Sequence, residues 1–296
     1  MSYTHTFADI RNRPVAVIGA GTLGRRIALM FASRGGTVRI HDPSAQQVKA
    51  AAEYVAQTLP EVVEKRGSGD VGVVKAAACI TEALDDAWLV VEAVPEKLAI
   101  KVPLWGEIDD AAPADTIFAT NSSSYPSRLM TDEVRDKSRL CNVHFYMPPE
   151  SNAVDLMSDG QTDRGALDTL LTVLPEFDIH PFEARRESVG FIFNRIWAAI
   201  KRESLAVVAE GVARPQDVDA MFKLNWHMPV GPFQMMDQVG LDVVLDIENH
   251  YAEDNPHLPN GPRELLHTYV DAGKLGVKTG EGFYKHPRPE PQRTPS

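Results

Sequence analysis

Three glycines and an acid carry the first chemistry legible in this chain. Gly19, Gly21 and Gly24 form a G-x-G-x-x-G turn, and Asp42 follows 18 residues after Gly24. The first glycine permits a tight strand-to-helix turn. The second lets a pyrophosphate approach the backbone, and the third lets the helix pack closely on the strand. Thr22 and Leu23 open the helix, whose free N–H groups and partial positive charge suit phosphates. A carboxylate at Asp42 accepts both ribose hydroxyls of a dinucleotide and repels a 2′-phosphate, which favours NAD over NADP. Arg39 is the nearby residue able to accommodate such a phosphate; we read it instead as an exposed strand position. Four further stretches carry reactive types: Asn121-Ser122-Ser123-Ser124, His144-Phe145-Tyr146-Met147-Pro148-Pro149, Val154-Asp155-Leu156 and Gly190-Phe191-Ile192-Phe193-Asn194-Arg195. Hydride removal from an alcohol needs a base for the hydroxyl proton, a group that orients the base, and donors for the developing carbonyl oxygen. A histidine, an acid, a serine and an asparagine are the types required. Taken singly, each has a plainer reading: a structural histidine, a turn serine, a satisfied core asparagine.

These residues must be held by alternating strands and helices. Val15–Ile18, Val38–His41, Trp88–Val94, Thr116–Thr120 and Leu140–Phe145 read as buried strands, with Ala153–Met157 and Ile179–Phe182 as two more. Between Pro43 and Ala78 the pattern is helical, interrupted at Pro60 and at Gly67-Ser68-Gly69-Asp70. The alternation predicts an α/β fold with a doubly wound parallel sheet. Residues 1–13 read as a loose polar arm. From Val189 to Val212 runs a long helical pattern apolar on nearly all sides, expected to be the buried axis of an all-helical second domain or part of a subunit interface. We place the boundary at 185/186, giving domains 1–185 and 186–296. The Pro-rich tail after His286 reads as disordered.

Composition narrows the classes. A net charge of −11 argues against general nucleic-acid binding and means that an acidic ligand needs a local basic site. Two cysteines, Cys79 and Cys141, suit a reducing compartment and read as buried, inert thiols. No metal site is expected. No stretch reaches membrane-spanning length and the first residues lack a signal-peptide core, so the expected address is the cytoplasm.

The ordered set of motifs resembles the L-3-hydroxyacyl-CoA dehydrogenase family over nearly the whole chain. The family pattern is a Rossmann fingerprint, V-E-A-x-x-E-x-x-x-x-K, N-T/S-S-S, H-F-F-N-P, V-E-V, G-F-x-x-N-R, G-P-F and K-T-G-x-G-F-Y. Here these stand as Val91-Glu92-Ala93 with Glu96 and Lys101, Asn121-Ser122-Ser123, His144-Phe145-Tyr146-Met147-Pro148, Val154-Asp155-Leu156, Gly190 to Arg195, Gly231-Pro232-Phe233, and Lys278-Thr279-Gly280-Glu281-Gly282-Phe283-Tyr284. The resemblance implies a Rossmann-type sheet followed by an all-helical domain, NAD as cofactor, and a homodimer formed through the second domain. It implies His144 as base, Asp155 as its carboxylate partner, and Ser123 and Asn194 as donors to the substrate oxygen. Ala93, Glu96, Lys101, Ser123 and Lys278 join Gly19, Gly21, Thr22, Leu23, Gly24 and Asp42 at the cofactor.

Three departures stand out. Met147 replaces the family's asparagine. Asp155 replaces a glutamate and lies 11 residues after His144, where the family usually has 12. The stretch where the family carries a basic helical pair for CoA becomes glycine-rich, leaving Lys65 and Arg66 as phosphate contacts. The implied activity is NAD-dependent interconversion of a 3-hydroxyacyl-CoA and a 3-oxoacyl-CoA. Two alternatives stay open: dehydrogenation of a free hydroxy acid of gulonate or carnitine type, and a catalytically weak NAD-binding protein.

Overall fold

A computed structural model describes residues 3–287, so the tail expected to be disordered lies outside the described residues apart from Pro287. The chain divides into two compact units, Met1–Ile192 and Phe193–Ser296.

In the first unit, α1 (Phe7–Ile10) precedes β1 (Val15–Ile18), α2 (Thr22–Ala32), β2 (Thr37–His41), α3 (Ala45–Arg66), β3 (Val73–Ala76), α4 (Ile80–Leu84), β4 (Leu89–Glu92), α5 (Leu98–Ala111) and β5 (Ile117–Thr120). Then come β6 (Leu140–Met147), β7 (Ser151–Met157), α6 (Arg164–Val173) and β8 (His180–Ala184). The eight strands make one sheet in the order β3-β2-β1-β4-β5-β6-β7-β8. Every pairing is parallel except β6 with β7. Strands β1, β4 and β5 are buried along their whole length. Their near-continuous apolar runs are what a sheet covered on both faces demands. On α2, Ile27, Ala28, Met30 and Phe31 are buried, as a helix lying on that sheet requires.

Several expectations are corrected. Residues 3–13 are not a loose arm: Tyr3 and Ile10 are buried in the main core, and the Tyr3 hydroxyl donates to Asp136 at 2.5 Å. Pro60 does not end the helix. It lies inside α3, on the solvent side, and the Ala56 carbonyl it leaves unpaired sits at an exposed residue where water can serve it. The glycine-rich stretch does end it, with Gly67 as a left-handed cap at φ 68°. Strand β3 was hidden inside the presumed helical region; it is a mostly exposed edge strand, so no apolar run marks it. The expected doubly wound parallel sheet is present and carries one antiparallel hairpin, β6–β7. Cys141 is buried, and burial pushes its thiol pKa up, but Cys79 is exposed.

The second unit contains α7 (Phe193–Ala209), α8 (Pro215–Trp226), α9 (Pro232–Val239), α10 (Leu241–Asp254) and α11 (Gly261–Val270) around a core of Leu205, Phe233, Met236, Leu241, Val244 and Leu266. The helix starting at Phe193 is shorter than its apolar pattern and is not buried all round. Ala198, Leu205 and Ala206 are buried while Phe193 and Ile196 are exposed. Two buried aspartates explain the last motifs. Asp219 accepts the N–H groups of Phe233 and Gln234 and the Tyr284 hydroxyl, and Asp237 accepts those of Phe283 and Tyr284. A side chain at Gly231 or Gly282 would come within 2.4 or 2.2 Å of these carboxylates. The G-P-F and G-F-Y segments are therefore structural.

The units divide at 192/193, seven residues beyond the boundary read from sequence. The reason is packing: the Ser188 N–H reaches the Met157 sulfur, and Phe191 is buried against Met157 and Ala184.

Candidate active site

The glycine turn has the geometry its spacing demands. Gly19 has φ 105°, and a Cβ there would lie 2.6 Å from the Ala93 carbonyl oxygen. At Gly24 a Cβ would sit 1.8 Å from the Gly19 oxygen, so any side chain would force α2 off β1. Gly21 has nothing within 4 Å of its missing side chain, which leaves open space over the N-terminus of α2. Such a cradle fits a pyrophosphate. Asp42 closes the turn from the end of β2: its Oδ2 accepts the Ala20 N–H at 2.9 Å and its Oδ1 the Ser44 N–H at 2.8 Å. Arg39 is not a free exposed position, since its guanidinium bonds the Glu82 carbonyl and Asp85.

Beside this turn, at the carboxyl ends of the parallel strands, a cavity of about 300 Å³ is lined by Leu23, Ala93, Glu96, Lys101, Asn121, Ser123, His144 and Tyr146. Open α/β sheets place their ligands at this edge. A larger cavity of about 440 Å³ lies at the opposite edge, around Arg11, Gly36 and Asp70, away from these residues.

A buried charge cluster shapes the cavity floor. Glu92 ends β4 fully buried and accepts from the Lys101 ammonium at 2.6 Å, the Val94 N–H at 2.9 Å and the Thr120 hydroxyl at 2.7 Å. Lys101 also lies 3.2 Å from Glu96. Glu96 in turn accepts from the Ser122 hydroxyl at 2.5 Å and the Ser124 N–H at 3.0 Å, fixing the loop that presents Ser123. Lys101 is thus a buried internal cation that sets Glu96 in place. Sequence reading quoted Glu92 as part of a motif without assigning it work; an acid inside an apolar strand was the available signal.

His144 and Asp155 are directly opposed across β6 and β7. Asp155 Oδ2 lies 3.6 Å from His144 Nδ1, a buried nitrogen with no hydrogen-bond partner among the described residues. The shorter spacing does not break the pair. Positions 142–145 pair with 157–154 in one register, and the shift falls between Phe145 and Met147, past the histidine. The imidazole is stacked on Phe191, centroids 5.1 Å apart and planes 4° from parallel, with the Tyr146 ring edge-on at 4.8 Å. Phe191 holds φ 53°, a left-handed backbone rare for an aromatic residue and concentrated at functional sites. The Ile192 N–H approaches Asp155 Oδ1 at 3.4 Å, and the Tyr146 hydroxyl donates to Oδ2. Neither Tyr146 nor Phe191 was assigned a role from sequence.

The first unit therefore brings together the glycine turn, Ala93, Glu96, Lys101, Ser123, His144 and Asp155. Met147 is exposed on the far side of the bulge. Asn194 and Lys278 belong to the second unit, where Asn194 lies in the first turn of α7 and the Lys278 ammonium is paired with Asp242. Lys65 and Arg66 are otherwise engaged. Lys65 pairs with Glu61 at 2.7 Å, and Arg66 bonds the Ser33 hydroxyl and the Glu176 carbonyl.

The chain is similar to known proteins over both units. Residues 14–187 match the family described as 3-hydroxyacyl-CoA dehydrogenase, NAD binding domain, and residues 190–286 match its C-terminal domain. The human mitochondrial hydroxyacyl-coenzyme A dehydrogenase is 31% identical over 285 residues, 92% of this chain and 90% of that one. The crystal structure of (S)-3-hydroxybutyryl-CoA dehydrogenase from Ralstonia eutropha superposes with a TM-score of 0.83 at 27% identity, covering 93% of this chain and 99% of that one. A diketoreductase described as catalysing reactions of dicarbonyl compounds superposes at 0.80 with 28% identity, over 93% and 99%. With its Rossmann-type NAD site, its helical second unit and both family domains matched along its length, the chain belongs to the 3-hydroxyacyl-CoA dehydrogenase family of NAD-dependent oxidoreductases.

Proposed function

We propose that the protein interconverts a 3-hydroxyacyl-CoA and the corresponding 3-oxoacyl-CoA, with His144 as general base and acid. The observation that carries this reading is the His144–Asp155 pair, whose imidazole lines the cavity beside the glycine turn. With Nδ1 toward Asp155, Nε2 is the nitrogen left for the substrate hydroxyl. His144 takes that proton as C3 becomes a carbonyl, and Asp155 stabilises the imidazolium. NAD accepts the hydride from C3. Ser123 and Asn194 are the proposed donors to the oxygen. Glu96, Lys101 and Lys278 are assigned to the cofactor region, Lys101 by way of the carboxylates it holds. We assign the protein to the cytoplasm, on the strength of two free thiols, and to a homodimer through the second unit, where Met221, Leu224 and Trp226 of α8 are exposed.

One observation favours a free hydroxy acid or dicarbonyl instead. Arg66, one of the two basic residues read as CoA phosphate contacts, is turned inward onto the Ser33 hydroxyl and the Glu176 carbonyl, while Lys65 stands exposed in a helix-surface pair with Glu61. NADH oxidation by the full chain, with acetoacetyl-CoA and acetoacetate in parallel, separates the readings. Turnover of the thioester is expected. Turnover of the free acid alone would replace CoA by the second reading, and NADH binding without either turnover would favour a catalytically weak NAD-binding protein.

Cofactor choice is tested separately. Asp42→Ala is expected to weaken NADH about tenfold, the worth of a charge-assisted hydrogen bond, and to shift the NADPH/NADH preference toward NADPH. Equal affinities for wild type and variant, measured by fluorescence titration with both cofactors, would show that Asp42 does not read the ribose.

A further inference from the structure

We propose that Tyr146 is a positioning residue of the His144–Asp155 pair, a third member that makes the short carboxylate serviceable. The inference rests on the reading of His144 as the base. Aspartate is one methylene shorter than glutamate, about 1.5 Å of reach. The consequence is visible: the 3.6 Å from Nδ1 to Oδ2 exceeds hydrogen-bond distance, and Nδ1 has no hydrogen-bond partner among the described residues. A buried carboxylate with one loose end could rotate away from the ring. Here it cannot. The Tyr146 hydroxyl donates to Oδ2, the same oxygen that faces Nδ1, and the Ile192 N–H approaches Oδ1 from the other side.

A carboxylate oxygen has two lone pairs, so Oδ2 can accept from Tyr146 and from an Nδ1–H that closes a few tenths of an ångström. The phenol therefore holds the acceptor in the one rotamer that fixes the imidazole proton on Nδ1 and leaves Nε2 as the base. The Tyr146 ring stands edge-on to the imidazole at 4.8 Å, so the clamp and the ring it serves are in direct contact. The motif to which Tyr146 belongs has phenylalanine at this position and pairs it with a glutamate partner. In this chain both differ, and the tyrosine oxygen meets the aspartate carboxylate directly.

The two substitutions should then be interdependent. The test compares Tyr146→Phe, Asp155→Glu and the double variant in the full chain. It measures kcat and KM for acetoacetyl-CoA reduction, NADH affinity, and the ¹⁵N imidazole spectrum of His144, assigned by its loss in His144→Gln. Tyr146→Phe is expected to lower kcat about tenfold with KM and NADH affinity within about twofold. Its spectrum should turn from a single Nδ1–H tautomer to a mixture. Asp155→Glu alone should also lose activity, because the longer acid meets the phenol. The double variant should recover to within about threefold of wild type. An unchanged tautomer in Tyr146→Phe, or losses that simply add in the double variant, overturns the proposal. Should the wild type not turn over the thioester, the functional reading fails, while the nitrogen spectrum needs no substrate and still decides the role of Tyr146.

Discussion

Replacing His144 by glutamine lowers turnover by about three orders of magnitude while NADH binds almost as before. Glutamine keeps much of the volume beside Phe191 but cannot take a proton. The expected signature is a collapse of kcat, with the NADH dissociation constant, read by fluorescence, within a factor of a few of wild type. Asp155→Asn should show a smaller loss, since the base remains and only its orientation and the stabilisation of imidazolium are removed. A His144→Gln variant that still turned over at a comparable rate would exclude this residue as the base. The separation of effects follows from the layout of the first unit. The phosphate cradle is made by Gly19, Gly21 and Gly24 on the turn before α2, whereas His144 stands on β6.

The second large effect is on stability. Lys101→Ala leaves Glu92 fully buried without its cation. Breaking a buried ion pair from one side costs about 4 kcal/mol, because the remaining charge is neither hydrated nor paired. For a protein of this size that lowers Tm by roughly 10 °C. The double variant Glu92→Gln, Lys101→Met should lose much less than the sum of the single losses, since no lone charge is left inside. Thermal unfolding followed by circular dichroism checks both. A Lys101→Ala protein with unchanged Tm would mean that water reaches Glu92 and the cluster is not a structural element. Activity should fall with stability in this variant, because Lys101 also holds Glu96, and Glu96 fixes the loop bearing Ser123.

Much of this arrangement was readable where it depends on neighbours in sequence. The glycine spacing, the helix that follows and Asp42 form one β-α-β unit, so their meaning is local and the structure keeps it. The buried strands β1, β4 and β5 announced themselves as apolar runs. What escaped was set by partners far along the chain. Strand β3 is a mostly exposed edge and lacks the apolar signal that marks a buried strand. Pro60 is tolerated because its side of α3 faces solvent, which cannot be known before the helix is placed. Tyr3 and Ile10 are pinned by the core they cover. The direction of β7 determines that Asp155 faces His144, and the Tyr146 hydroxyl reaches that carboxylate from the irregularity at the end of the register. The inward turn of Arg66 onto the Ser33 hydroxyl and the Glu176 carbonyl likewise comes from folding, so a basic pair in sequence overstated the free charge there.

The register shift between Phe145 and Met147 has a further consequence for variation in this family. Strand pairing through residues 142–145 and 154–157 sets the distance between base and carboxylate, while the connection beyond it absorbs any change in length. The hairpin tip, anchored by Arg26 through the Pro148 carbonyl and Glu150, meets the proton-transfer pair only through Tyr146, which stands at the shift itself. Residues 148–150 can therefore vary without moving the 142–145/154–157 register, provided that Tyr146 keeps its place beside Asp155.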